Sequence, residues 1–469
     1  MYIVFHLLRS SFGLCLIVGG ALIALYLLGY FLLYKKFFHG ERTVSVLQGI
    51  FILMLFMYLA IVLMATFLSR GAYYNHAVNL SVLRTYRQAW NSFIKRDWSV
   101  IILNILMFVP IGFLLPLSFS KCKKSWVTYL IGLILTIAIE TGQYISRQGI
   151  FEVVDIVHNG AGCVVGYGFW IICNTIYEKI TRKENRTYSV RQMLVYQIPF
   201  ALLIGLFTTI FVSYQMKELG NMTTSYEVTK DMSHIKLSTE VSLSTEHTKA
   251  NVYQAKKSSK AETLEKANRI FKVHGTSVKE EETKAYDESM VYYSKDGKYT
   301  CWVNFMGGTT WFTAFEESGE TSDPATYSRK ELKECMKPYG INIPDSAAIT
   351  QEEDGQYTVQ VNMAKVKNSY IDGTLTCHIN KEGKVESFND QMIHYKKYKK
   401  FAIISEREAY GQIQKGKFNY YAEPKVKEMK VKEVKLVYLM DSKGFYQPAY
   451  DFKMKTDKDV RNIYIPAIQ

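Results

Sequence analysis

The stretch IETGQYISRQGIFEVVDIVHN, residues 139–159, places Glu140, Gln143, Arg147, Asp155 and Asn159 in otherwise apolar sequence. Ionisable groups in a membrane-type segment carry a desolvation cost, so they mark either a functional site or a pinned helix contact. Glu140 and Asp155 are the residue types of an acid/base pair acting on an ester or phosphoester. Arg84 and Arg147 are the types that grip a phosphate bidentately, with Arg87 close by. Asn104, Gln143 and Asn159 either orient a substrate or bridge helices, since amide hydrogen bonds are an ordinary interhelical glue. On a helix, Glu140 and Gln143, with Arg147 one further turn on, share a face; Asp155 and Asn159 share another. The bland alternative for the charged set is a Glu/Asp–Arg network that only pins helices. His158 sits one position off the Asp155/Asn159 face without metal-ligand spacing around it. It reads as a satisfied or interface histidine, and neither a metal nor a cofactor is expected.

The elements that must position these groups follow from two unlike halves. Up to about residue 214 apolar runs dominate, and from Lys217 onward none occurs. Six runs approach or reach the ~20 residues needed to cross ~30 Å of hydrocarbon. They are Phe12–Tyr34, Val44–Leu68, Ser99–Phe119, Trp126–Ser146, Val153–Ile176 and Met193–Tyr214. The first exceeds the ~7–15-residue core of a signal peptide and a second follows it, so it reads as retained. The short Gln-Gly-Ile loop between the fourth and fifth runs makes them antiparallel neighbours. An odd number of crossings then puts Asn104, and the loop Ser69–Trp98 with Asn79, Arg84 and Arg87, at the same membrane surface as the opening stretch.

With the N-terminus outside, the inner loops hold Lys35, Lys36, Arg42, Lys121, Lys123, Lys124, Lys179, Arg182, Lys183, Arg186 and Arg191. Most outer Lys and Arg lie in the single loop Ser69–Trp98, so the positive-inside rule favours an extracytoplasmic N-terminus and C-terminal domain. The net charge of +14 points, on a membrane protein, to anionic lipid or wall polymer as neighbours and not to nucleic acid. Cys301, Cys335 and Cys377 share the soluble half, so at most one disulfide forms there.

Residues 215–258 are rich in Ser, Thr and Lys with little apolar periodicity, which predicts a stalk or linker. Beyond it, AETLEKANRIFKVHG has helical spacing, and MVYYSKDGKYTCWVNF carries a hairpin turn. YSRKELKECMKPYG and SEREAYGQIQKGKF each precede alternating strands, so 259–469 reads as an α+β domain, with two or more subdomains. His274, His378 and His394 are scattered and read as surface or strand-face residues.

Three segments carry a resemblance. VNLSVLRTY resembles the Asn-Leu-x-x-x-Arg segment of the VanZ family, NILMFVPIGFLLPL its Asn-x-x-x-Phe-x-Pro-x-Gly segment, and IETGQYISRQGIFEVVDIVHNGAGCVVGYG its Glu-x-x-Gln, Asp-x-x-x-Asn-x-x-Gly-x-x-x-Gly segment. The likeness covers about residues 45–175, flanked by 1–44 and 176–214. It implies polar site positions at Asn79, Arg84, Asn104, Glu140, Gln143, Asp155 and Asn159. Ser81, Val82 and Leu83 depart from the Ile-Pro-Phe common after Asn-Leu. Residues 405–468 resemble PepSY-like and YycI-like extracytoplasmic domains.

The combined expectation is a bundle of about six transmembrane α-helices followed by a soluble α+β domain. Glu140 and Asp155 are the candidate catalytic or anchoring carboxylates; Asn79, Arg84, Asn104, Gln143, Arg147 and Asn159 are the substrate contacts. Gly162 and Gly166 explain themselves as close helix packing. The resemblance implies a cell-envelope role linked to sensitivity to glycopeptides such as teicoplanin, with membrane lipid or an anionic lipid-linked or wall component as partner. The alternative is a non-catalytic sensor or scaffold whose exodomain binds a protein or wall partner, and whether the chain is an enzyme stays open.

Overall fold

A computed structural model describes residues 45–68, 77–181, 188–315, 326–352, 356–366, 368–380, 383–419 and 426–468, with scattered positions between 20 and 36. The chain divides into two compact units, residues 1–218 and 219–469.

Among the described residues, five helices of the first unit are long and apolar enough to cross a membrane. Helix α1, Val46–Leu63, starts at a Ser45 cap and is prolonged by a π-turn at Met64–Leu68. A two-residue strand β1, Val78–Asn79, and a short helix α2, Val82–Ser92, precede α3, Lys95–Ser118. Then follow α4, Ser125–Ser146, strand β2, Phe151–Glu152, and α5, Val153–Ile180. The last span joins α6, Val190–Val195, to α7, Ile198–Met216. These five match the second to sixth runs expected from hydropathy; the first, Phe12–Tyr34, lies largely outside the described residues.

Lipid is as apolar as leucine, so helices in a membrane associate through close packing and not through the hydrophobic effect. Glycine supplies that packing between α3 and α5. A Cβ on Gly162 would collide with the Ile105 carbonyl, one on Gly166 with that of Val109, and one on Gly112 with that of Cys163. Pro110 and Pro116 lie inside α3 without ending it. Neighbouring side chains serve this helix: the Tyr58 hydroxyl donates to the Met107 carbonyl at 2.9 Å and the Gln48 amide to that of Ser118 at 2.8 Å. A hydroxyl from the next helix re-satisfies a carbonyl before Pro110, and the Gln48 amide serves the last carbonyl of the helix.

The second unit is built on one sheet of fourteen strands among the described residues. Its strands are β3 Lys236–Thr239, β4 Thr248–Ala255, β5 Lys284–Ala285, β6 Ser289–Tyr293, β7 Tyr299–Asn304, β8 Thr310–Ala314, β9 Ala348–Gln351, β10 Gln356–Val366, β11 Ser369–Ile379, β12 Val385–Asp390, β13 Ile393–Ile403, β14 Glu428–Met440, β15 Phe445–Thr456 and β16 Val460–Pro466. Pairing is antiparallel except for β3 against β14. Helices α8, Lys260–Val273, and α9, Arg329–Met336, cover one core around Phe271, Phe312, Leu332, Val359 and Phe388. Helix α10, Glu406–Gln414, covers a second around Ile413, Phe418, Val431, Phe452 and Ile463. All three start in a capping box at Ser259, Ser328 and Ser405, a signature visible in the sequence as Ser-x-x-Glu.

The stretch 215–258 is no stalk. Its β4 runs between β15 and β13 in the sheet, and β3 pairs with β14. Gly220 donates its N–H to Asp441 Oδ2 at 2.7 Å, and Leu219, Asn221 and Met222 are buried. Both faces of this strand bury side chains, Ala250 and Val252 on one and Tyr253 and Ala255 on the other, so its apolar residues show no simple alternation with polar ones. Cys301, Cys335 and Cys377 are unbridged, and burial pushes the thiols of Cys301 and Cys377 up to about 12.

Candidate functional site

The polar groups of the bundle meet where the N-terminal ends of α3 and α5 approach the C-terminal ends of α1 and α4. Local backbone creates the meeting. Helix α4 stops because Arg147 takes a left-handed φ of 57°. The Gln148 N–H then returns to the Gln143 carbonyl at 3.1 Å, a closure typical of helix C-termini. The chain re-enters as β2, which pairs in parallel with β1, Val78 opposite Phe151 and Asn79 opposite Glu152. This ladder ties the loop before α2 to the loop between α4 and α5.

Each carboxylate has an identified neighbour. Asn79 Nδ2 donates to Glu152 Oε1 at 2.8 Å, and the Glu152 N–H donates to Glu140 Oε2 at 3.2 Å. Asn104 Nδ2 donates to Asp155 Oδ1 at 2.6 Å, across the glycine-packed α3–α5 contact. Glu140 is 2% exposed and Asp155 8%. Such burial would normally drive a carboxylate out or neutralise it, so amide and backbone donors are what keep the groups in place.

Gln143 and Asn159 serve neighbouring helices. Gln143 Nε2 donates to the Thr66 carbonyl at 3.0 Å, in the π-turn that extends α1. Asn159 Nδ2 donates to Thr136 Oγ1 at 2.9 Å. The oxygens of both amides are buried without a hydrogen-bond partner. Unfilled acceptors of this kind cost free energy unless a ligand or water supplies a donor.

The structure therefore links Asn79 to Glu140 through Glu152 and pairs Asn104 with Asp155, while Gln143 and Asn159 bond to Thr66 and Thr136. It does not give Arg147 the helical position expected beside Glu140 and Gln143: Arg147 has left α4 and is exposed. Arg84 is exposed on α2 and Arg87 half-buried. Sequence reasoning missed Glu152, which forms the link between Asn79 and Glu140. Its only signal was its place three residues before Asp155. It also gave no role to Tyr86, whose hydroxyl lies 2.8 Å from His158 Nε2. His158 is buried, 2% exposed.

A hollow of about 500 Å³ lies at the opposite end of the bundle, lined by Gln48, Phe51, Phe113, Lys123, Trp170 and Asn174 among others, and contains none of these residues. No group of three or more His, Cys, Asp or Glu side chains placed to hold a metal occurs among the described residues.

This end of the bundle thus holds two buried carboxylates, accepting from Asn104 and from the Glu152 N–H, and two amides, Gln143 and Asn159, whose oxygens have no partner. Residues 22–174 match the VanZ/LLP1 family. No curated protein matches the chain. A solved structure, the Bacillus megaterium YpeB C-terminal domain, matches at 12% identity over 46% of this chain and 95% of that one, with a TM-score of 0.22. No shared fold follows at that score. Residues 22–174, with the polar cluster inside them, are similar to the VanZ/LLP1 family, and the described residues hold five helices long and apolar enough to cross a membrane, followed by a β-rich C-terminal domain.

Proposed function

We propose that the bundle binds or modifies an amphiphilic envelope component at the outer leaflet and thereby alters sensitivity to glycopeptides such as teicoplanin. The supporting observation is the convergence of Asn79, Asn104, Glu140, Glu152 and Asp155 at one end of the helices. A lipid-linked substrate keeps its chains in hydrocarbon and offers its head group at that depth. Glu140 and Asp155 then act as polar anchors or as acid/base groups, while Arg84, Arg87 and Arg147, nearer the rim, attract an anionic head group. The excess of Lys and Arg in the opposite loops supports placing this end and the C-terminal domain outside.

The test compares Glu140→Gln and Asp155→Asn with wild type for teicoplanin sensitivity and membrane lipid composition, each variant's membrane level being measured. Both substitutions remove charge and keep bulk. Normal levels with lost effect are expected. Retained effect in both would make the cluster a helix-pinning network and move attention to the C-terminal domain.

A further inference from the structure

Two side chains at this end of the bundle have no part in the reading above, Tyr86 on α2 and His158 on α5. Their rings meet edge to face with centroids 5.4 Å apart, and the Tyr86 hydroxyl stands 2.8 Å from His158 Nε2. His158 Nδ1 is buried without a hydrogen-bond partner, and Asp155 Oδ1 lies 3.9 Å from it. That same oxygen accepts from Asn104 at 2.6 Å, so the carboxylate is held in place. One tautomer fits. With the proton on Nδ1, the ring presents N–H towards Asp155 and leaves Nε2 to accept from the phenol. The other tautomer would point a bare lone pair at a carboxylate.

We propose that Tyr86, His158 and Asp155 form a proton-transfer chain in which the Tyr86 hydroxyl is the reacting group, His158 its base and Asp155 the residue that positions the imidazole. This rests on the reading of this end of the bundle as a working site, and gives Asp155 its role there. The order matches the logic of hydroxyl–histidine–carboxylate triads, in which the carboxylate fixes the tautomer and stabilises the imidazolium. Exposure follows the same order: Tyr86 is half-buried, while His158 is 2% exposed. The phenol ring is therefore the more accessible of the two. The Tyr86 hydroxyl already faces an acceptor, His158 Nε2. The 3.9 Å separation of His158 and Asp155 is one that tightens as positive charge develops on the ring, and such bonds are commonly long before substrate binds.

A hydroxyl activated in this way reacts with an aryl sulfonyl fluoride. The phenol oxygen forms a bond to sulfur, the S–F bond breaks, fluoride leaves, and the phenol proton passes to His158 Nε2. The experiment exposes the full chain in native membranes to such a probe at neutral pH and reads each tyrosine by peptide mass spectrometry. Tyr86 is expected to be modified at least about ten-fold faster than Tyr144, a half-buried tyrosine near the end of α4, because a positioned base contributes roughly a hundred-fold or more. His158→Gln should lower the Tyr86 rate by about ten-fold or more, and Asp155→Asn by a smaller factor. Tyr86 reacting no faster than Tyr144, or at an unchanged rate in His158→Gln, overturns the proposal and leaves a structural tyrosine–histidine contact. The wild-type comparison needs no variant, so it decides the matter even where His158→Gln fails to accumulate. Unlabelled Tyr86 together with a Glu140→Gln variant that has lost its effect on teicoplanin sensitivity removes the chain alone. Labelled Tyr86 with fully active Glu140→Gln and Asp155→Asn removes the envelope reading alone.

Discussion

At Arg147 the backbone does what the side chain type disfavours. A φ of 57° suits glycine, and a residue with a Cβ held there stores about 1 kcal/mol of strain. Arg147→Gly should therefore preserve or raise the amount of folded protein in membranes, by up to about 1 kcal/mol in detergent unfolding. If the guanidinium holds an anionic head group, the same variant loses the proposed effect on teicoplanin sensitivity despite normal folding. Equal activity and level would make Arg147 only a helix terminator. The residue types of the site were legible because a Glu, a Gln and an Asp in apolar sequence stand out without any structure. Their partners were not. Helical spacing placed Arg147 beside Glu140, but a left-handed turn takes it out of the helix, and the chain beyond pairs as β2 with residues about seventy positions earlier.

Helix α5 is the element on which the site depends. Its glycines let α3 approach until Asn104 reaches Asp155 at 2.6 Å. Gly162→Val or Gly166→Val should separate the two helices, at a cost of roughly 1–3 kcal/mol from overpacking, and lower both membrane level and protease resistance. Gly160→Ala is the matched control: nothing lies within 4 Å of its missing Cβ, so it should be neutral or slightly stabilising by helix propensity. A Gly166→Val protein as stable as Gly160→Ala would show that the glycine stripe does not set the α3–α5 distance. Small-xxx-small spacing was visible in the sequence, and so was its packing role. Which helix it packs against was not, because spacing along one helix carries no information about its neighbour.

Across the whole molecule, the C-terminal domain carries its own pH response. Asp390 closes β12 and is 6% exposed, with Lys266 Nζ 3.7 Å away and the Met392 N–H donating at 3.1 Å. Burial outweighs both and raises its carboxyl above 3.8. A carboxyl raised on folding favours the native state when protonated, so its contribution is lost as pH climbs from 3.8 through the raised value. Asp390→Asn should thus match wild type in acid and become the more stable protein towards neutral pH. Lys266 keeps the Gly308 carbonyl, 2.6 Å away, as a partner in the variant. Hydrogen exchange over β11 and β12, compared at equal pH, checks this; a variant less stable than wild type at neutral pH would show that the Lys266 pair outweighs desolvation.

The sequence by itself determined the apolar runs that become five described spans, the polar residue types set among them, the VanZ likeness, and capped helices in a β-rich second half. These are local or additive properties: hydropathy over twenty residues, period along one element, a capping residue three positions from its partner. Only the tertiary structure decided that Glu152 joins Asn79 to Glu140, that Tyr86 meets His158, that Arg147 leaves its helix, and that β4 is a strand inside the sheet. Each of those depends on a contact between distant segments whose energy exists only once both are in place, and no single segment carries its partner's register.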